Sequence, residues 1–293
     1  MGILDGEALA ESIRGELRAE IAELTAEGVQ PGLATIHMGT DPAAASYVAM
    51  KQRDVAELGM YGEDVHIDPS EPKSTLIAEI ERLNQDPAIH GIIVQDDYPE
   101  HVDWMRAIAH IDPMKDVDGI HPENVGRLVT GNPRFVAATP LGIQRLLEHE
   151  GIDIEGSDVV IVNRSMIVGK PLANLLVQKT DGGNATVTVC HSRTERLKEN
   201  TKRPDILVIA INAPEFIDET FVTPGTVAVD VGISRVDADT EKGYELTGDV
   251  DFERVAPIAS AITPVPGGVG PMTRVMLHHN TVKAAKLHHH GEE

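Results

Sequence analysis

The chain has 293 residues, enough for two domains that each bury a core of their own. Its 25 Lys and Arg stand against 47 Asp and Glu, and the net charge of −22 argues against nucleic acid and anionic membranes as partners. Aromatics make up only 3% of the residues, and no apolar stretch approaches the roughly 20 residues of a membrane-spanning helix.

In chain order, Leu4, Leu9, Ile13, Leu17, Ile21 and Leu24 recur at helical spacing until Gly28 stops the run. The segment is charged and amphipathic and lacks the apolar core of a signal peptide. A strand over Leu33 to Met38 leads through Gly39-Thr40-Asp41-Pro42 into a helix from Ala43 to Leu58. A strand over Asp64 to Ile67, a helix from Ser74 to Leu83 opened by a Ser N-cap, and a buried strand over Ile92 to Gln95 follow. Alternating strands and helices predict a parallel sheet covered on both faces. A long loop, DPMKDVDGIHPENVG from Asp112, is the natural boundary between halves.

The second half restarts with a helix over Thr139 to His149, a strand over Val159 to Val162 and a helix over Gly169 to Leu176. Strands follow at Thr186 to Cys190, Ile206 to Ile211 and Thr226 to Val231, a doubly wound nucleotide-binding pattern. A last helix, over about 272–287, is expected to pack back on the first domain. The fold class expected is α/β with two domains: residues 1–119 as a catalytic domain, residues 120–271 as a Rossmann-like domain, and a cleft between them. The single Cys190 can form neither an internal disulfide nor a cysteine metal cluster, which agrees with a reducing, cytoplasmic compartment and with no metal. The acids are dispersed and arginine outnumbers lysine, a composition that suits high salt, where screening removes self-repulsion. His288, His289 and His290 could form a metal-binding tract but read as a solvated tail.

The nucleotide signal is VVIVNRSMIVGKP, residues 159–171, in which a strand turns at Asn163, Arg164 and Ser165 and a helix begins near Gly169. Only the last glycine of G-x-G-x-x-G stands. Asn163 occupies the tight-turn position, and Asn visits left-handed conformations more readily than other non-glycine residues. The second strand ends Cys190-His191-Ser192-Arg193-Thr194, with no carboxylate to hold a ribose 2′-hydroxyl. Arg164, Ser192 and Arg193 make a phosphate clamp, which favours NADP over NAD. Arg193 as a plain surface residue is the competing reading.

In the first half, Tyr47 and Lys51 are four residues apart and share a helix face. On residues alone this is an exposed lysine beside a half-buried ring. Near the C-terminus, TPVPGGVGPMT combines prolines that fix φ with glycines that permit close approach. That loop leads into a helix N-terminus, where unpaired amides favour polar or anionic ligands.

These segments resemble the bifunctional methylenetetrahydrofolate dehydrogenase/cyclohydrolase family: Ala45-Ser46-Tyr47 with Lys51, Gln95, the KDVDG run, Ala138-Thr139-Pro140, NRSMIVGKP, CHSRT, VDVGI, GDVD and PVPGGVGPMT. The resemblance implies that Tyr47 stacks on the folate, that Lys51 is the principal catalytic residue and that Gln95 hydrogen-bonds it. It also implies that Asp118 accepts hydrogen bonds from the pterin, with a turn-stabilising role before Gly119 as the alternative. The resemblance further implies that Pro266, Gly267 and Gly268 complete the substrate site and that Asn163, Arg164, Ser165, Ser192, Arg193 and Ile233 hold NADP.

The activity implied is NADP-dependent oxidation of 5,10-methylenetetrahydrofolate and hydrolysis of the methenyl product to 10-formyltetrahydrofolate, within one-carbon metabolism and purine biosynthesis. A homodimer is implied as well. A dehydrogenase without hydrolysis, and a nucleotide-binding regulatory protein without turnover, are the alternatives. The chain departs from the family pattern where Asn163 and Asn212 replace glycines, both read as left-handed backbone positions. Ala138 stands where cysteine is common, and Asp96 and Asp97 stand where Leu-Pro is usual.

Overall fold

The computed structural model describes residues 2–39, 42–96, 98–240 and 243–291, with the side chains of residues 42–49 outside the description. In chain order the elements begin with β1 (Gly2–Ile3), α1 (Gly6–Ala26), β2 (Gly32–His37), α2 (Pro42–Glu57), β3 (Tyr61–His66), α3 (Lys73–Gln85) and β4 (Gly91–Val94). Then come α4 (Trp104–Ile108), α5 (Pro122–Val129), α6 (Ala138–His149), β5 (Asp158–Val162), α7 (Gly169–Leu176) and β6 (Thr186–Cys190). The remainder are α8 (Leu197–Thr201), β7 (Ile206–Ile209), β8 (Val227–Asp230), β9 (Ser234–Asp237), β10 (Tyr244–Thr247), α9 (Phe252–Val255), β11 (Ala261–Ile262) and α10 (Val269–His290).

Two compact units result. One, the Lys51 unit, comprises Ser12–Ala138 and Arg274–Glu293; the other, the Asn163 unit, comprises Met1–Glu11 and Thr139–Thr273. The sequence reading draws its line at 119 and 120, whereas residues 120–138 fall in the Lys51 unit. Two side chains hold them there. Buried Asp116 accepts from the amides of Ile120 and His121 and from Asn124 Nδ2, and Asn280 on α10 donates to the carbonyls of Val117 and Val136. Residues 2–3 go to the Asn163 unit because β1 extends its sheet, pairing in parallel with β11.

The Lys51 unit holds a three-stranded parallel sheet in the order β3-β2-β4. Its core packs Ala34 and Ile36 of β2, Ile92 and Val94 of β4, and Leu76, Ile80 and Leu83 of α3. β4 is buried at every position, as expected of a parallel strand covered on both faces. α3 differs from expectation at its start: Pro72 is the N-cap with no side-chain bond, and Ser74 already lies in the first turn. The stretch after Asp112 is not one loop, since α5 forms within it behind a His121 N-cap and Pro122.

The Asn163 unit holds a six-stranded sheet in the order β1-β11-β8-β7-β5-β6, parallel throughout, and a separate β9-β10 hairpin. Its core joins Val160 and Val162 of β5, Leu207 and Ile209 of β7, Ala228 of β8 and Ile262 of β11. β7 ends at Ile209, short of the expected Ile211, because the amide of Ile211 leaves the ladder for the carboxylate of Asp249. α10 starts at Val269, earlier than the expected 272, and takes in the His288 to His290 tract. That tract is therefore the last helical turn, exposed to solvent as expected. His288 Nδ1 lies 2.8 Å from the Ala284 carbonyl, and His289 pairs with Glu27 at 3.0 Å.

Candidate functional site

In the Asn163 unit the chain passes from β5 through α7 to β6 on one side, then returns to β7 on the other side of β5. The carboxyl ends of β5 and β7 thus flank a topological switch point, where open sheets bind ligands. A cavity of about 580 Å³ opens there, lined by Asn163, Arg164 and Ser165 after β5, by His191, Ser192 and Thr194 after β6, and by Ala210 to Ala213 after β7. Leu197 and Phe216 supply further apolar wall. No carboxylate is among the described residues lining it, although the chain carries 47 acids.

The turn after β5 is made by a side chain. Asn163 does not have positive φ, contrary to the expectation for that position, whereas Asn212 does, at 54°. Asn163 Oδ1 accepts from the amides of Ser165 at 2.7 Å and Gly169 at 2.9 Å, and its Nδ2 donates to the Ala210 carbonyl. One amide side chain therefore folds the loop, caps the start of α7 and ties β5 to β7 across the switch point. Gly169 is required by contact: a Cβ there would lie 2.2 Å from the Asn163 carbonyl oxygen. After β6, the His191 amide donates to Thr194 Oγ1 and the Arg193 amide to His191 Nδ1, which turns the chain sharply. Arg164, Ser165 and Ser192 meet at the cavity, but Arg193 and Ile233 are not among its lining residues. Ile233 is 56% exposed.

In the Lys51 unit, Lys51 lies on α2 and is only 7% exposed. Burial pulls its pKa down, and the Asp118 carboxylate partly restores it. Asp118 moves the other way: burial raises its pKa, Lys51 opposes that, and Asp96 adds to it. The pKa of the neighbouring Asp116 is raised by burial to about 6, and its carboxylate accepts from two loop amides and from Asn124 on α5. Asp116 thus stabilises the chain that follows Asp118. Gln95 follows β4 and is half-buried, and its Nε2 has no hydrogen-bond partner among the described residues. The Tyr47 side chain and Asp97 lie outside the described residues.

Sequence reasoning missed three residues, one facing Lys51 and two in the Asn163 unit. His278 on α10 is fully buried, neither ring nitrogen has a hydrogen-bond partner among the described residues, and its pKa falls to about 3. Burial is the main cause, followed by the charges of Lys51, Arg14 and Arg274. Arg274, one turn earlier on α10, pairs with Asp54 at 3.5 Å, one turn after Lys51 on α2. A histidine three residues after Val275 and four before Val282, and so on one apolar helix face with them, was the available signal. The other two are Asp230 and Asp249, which stand in quoted motifs but had no role assigned. In the Asn163 unit, the loop before α10 carries Pro266, Gly267 and Gly268; the Gly267 carbonyl accepts from the Glu7 amide at 3.0 Å. Gly267 has φ 108°, and a Cβ at Gly268 would lie 2.7 Å from the Pro264 carbonyl oxygen.

Two family models match the chain: the tetrahydrofolate dehydrogenase/cyclohydrolase catalytic domain over residues 4–118, and the NAD(P)-binding domain of the same family over residues 137–289. The bifunctional protein FolD of Natronomonas pharaonis is 59% identical over 97% of this chain and 96% of its own length. The crystal structure of bifunctional FolD from Campylobacter jejuni superposes with a TM-score of 0.92 at 42% identity, covering 98% of this chain and 99% of that one. The Trypanosoma brucei methylenetetrahydrofolate dehydrogenase-cyclohydrolase, solved with NADP cofactor and inhibitor, gives 0.91 at 37% identity over 97% of each chain.

Proposed function

This chain belongs to the tetrahydrofolate dehydrogenase/cyclohydrolase family, and from that premise we propose how its residues divide the chemistry. It is an NADP-dependent 5,10-methylenetetrahydrofolate dehydrogenase and a methenyltetrahydrofolate cyclohydrolase. The observation that carries the division is the buried Lys51 beside Asp118, in a different compact unit from the switch-point cavity.

The cavity fits NADP. Arg164 and Ser192 provide donors for a 2′-phosphate, and no acid among the described lining residues repels it. When bound, NADP+ supplies the hydride acceptor. The oxidation asks little acid or base of the protein, because the two nitrogens flanking the methylene carbon of the substrate stabilise the cation formed. Asn163, Ser165 and the 211–213 turn hold position there. Arg193 and Ile233 are assigned to the dinucleotide from outside the cavity lining.

Hydrolysis needs proton movement. Water adds its oxygen to the methenyl carbon, and the bond from that carbon to one ring nitrogen breaks. Of the two protons released by the water, one ends on that nitrogen and the other in solvent. Lys51 takes up and returns the transferred proton, a task open to it because burial disfavours its ammonium form. Asp118 accepts hydrogen bonds from the pterin's amino and ring N–H groups, Tyr47 stacks on the folate and Gln95 orients Lys51. Pro266, Gly267 and Gly268 complete the substrate site. The dispersed −22 charge supports a protein that works at high salt, and the lone Cys190, buried and free, supports a reducing cytoplasm. No helix among the described residues is long and apolar enough to cross a membrane. We place the working form as a homodimer. Absorbance of methenyltetrahydrofolate tests the reading: with NADP+ and methylenetetrahydrofolate it should form and then decay, whereas silence would refute the dehydrogenase and persistence the hydrolase.

A further inference from the structure

Two buried carboxylates in the Asn163 unit each collect three backbone amides. Asp230, at the end of β8, accepts from Gly232 at 2.9 Å and Asp249 at 3.1 Å through Oδ1, and from Val250 at 2.9 Å through Oδ2. Asp249 accepts from Ile211 at 2.6 Å and Asn212 at 3.2 Å through Oδ2, and from Ala213 at 2.7 Å through Oδ1. Asp249 is fully buried and Asp230 is 2% exposed. The first carboxylate fixes the backbone that carries the second, and the second fixes the turn after β7.

That turn needs fixing. Asn212 and Glu215 hold φ of 54° each, a left-handed conformation that costs a non-glycine residue free energy and persists only where neighbours over-determine it. The backbone adds two bonds, from the Glu215 amide to the Gly248 carbonyl at 3.0 Å and from the Ile217 amide to the Asp249 carbonyl at 2.9 Å. Glycines make room for both acids. A Cβ on Gly232 would lie 2.3 Å from Asp249 Cγ, and one on Gly248 would lie 1.9 Å from Asp230 Oδ2. Ile211, Asn212 and Ala213 are one wall of the switch-point cavity. Three charge-assisted bonds converging on three consecutive amides are a strong and geometrically specific restraint on that wall.

We propose that Asp249 is a positioning residue for the dinucleotide: without lining the cavity, its carboxylate holds the Ile211-Asn212-Ala213 wall in the shape that accepts the cofactor, and Asp230 holds Asp249. The inference rests on the reading that this cavity takes NADP. The proton-transfer group Lys51 and its companions Gln95 and Asp118 lie in the Lys51 unit, so the two activities should separate.

The test is Asp249→Asn, which keeps the size of the side chain but turns an amide donor toward amide donors. Full-length variant and parent are compared by titration with NADP+ and NAD+, by KM for NADP+ and for methylenetetrahydrofolate, and by hydrolysis of methenyltetrahydrofolate without dinucleotide. The expected result is a loss of about tenfold or more in affinity for both dinucleotides, a matching rise in KM for NADP+, and an unchanged KM for the folate and rate of hydrolysis. Adding Asn212→Gly, which removes the strain of the turn, should recover part of the lost affinity. If Asp249→Asn does not fold, Asp249→Glu, which keeps the charge but displaces it, is expected to give the same split. Unchanged dinucleotide affinity, or equal loss of both activities in a folded variant, overturns the proposal. Failure of the parent to bind NADP+ would instead refute the cofactor reading on which it rests.

Discussion

Lys51 and Asp118 counter each other's burial: the carboxylate draws the lysine's pKa up from the low value that burial imposes, and the lysine draws the carboxylate's down. Each therefore favours the charged form of the other. Asp118→Asn removes the negative charge while keeping the shape, so the Lys51 pKa should fall further. With lysines labelled by 13C reductive methylation, the Lys51 resonance should titrate at lower pH in the variant than in the parent. An unchanged or higher midpoint would show that the two are not coupled.

His278 is buried and neutral, and its folded pKa of about 3 lies below the ordinary value of about 6.5. Above pH 6.5 neither the folded nor the unfolded state binds the proton, so the residue adds no pH dependence. As pH falls from 6.5 toward 3, the unfolded chain takes up a proton that the folded chain refuses. Stability then drops by up to about 1.4 kcal/mol per pH unit. His278→Leu should abolish this contribution. Denaturant unfolding at pH 7.5 and pH 5 should show the variant gaining on the parent at the lower pH, by about 1 to 2 kcal/mol. Equal pH dependence in both would contradict the assignment.

The net charge of −22 is dispersed over the chain, and its self-repulsion is long-range at low ionic strength. Raising salt from 0.1 M to 1 M shortens the Debye length from about 10 Å to about 3 Å. The thermal midpoint should rise across that range in KCl. A flat or falling midpoint would contradict adaptation to high salt.

Arg164→Ala and Ser192→Ala should each weaken NADP+ binding far more than NAD+ binding, because NAD+ has no 2′-phosphate to lose. A hydrogen bond to a charged group contributes roughly 1.5 to 3 kcal/mol, so one lost bond corresponds to about tenfold to a hundredfold in affinity. Arg164 should matter more, since it opposes the phosphate with a full charge. Titration of both dinucleotides decides the matter, and equal losses would place Arg164 on the shared pyrophosphate instead.

The doubly wound pattern was legible because buried parallel strands write themselves as apolar runs: Val159 to Val162 and Thr186 to Cys190 fall where expected, and α7 spans Gly169–Leu176 as expected. Short pieces whose pairing is non-local were not legible. β1 is two residues long and is a strand only because β11, near the other end of the chain, pairs with it. Boundaries set by side chains were also hidden, as where Asp249 draws the Ile211 amide out of β7 and Asp116 gathers residues 120–124. At the candidate sites, residue types were readable but not the way they act. Asn163 was expected to work through its backbone and works through its amide, while Asn212 does take the left-handed conformation. His278 has no local signature beyond sharing a helix face with Val275 and Val282, and its importance appears only when burial and the nearness of Lys51 are known.

The most direct test of the account is a pair of progress curves on methylenetetrahydrofolate with NADP+, following methenyltetrahydrofolate absorbance for the parent and for Lys51→Met, which keeps the length of the side chain and removes its proton-transfer group. The parent should give a transient that forms and decays, and the variant should hydrolyse methenyltetrahydrofolate no faster than buffer alone. Decay at the parental rate in Lys51→Met would contradict the assignment of hydrolysis to this lysine.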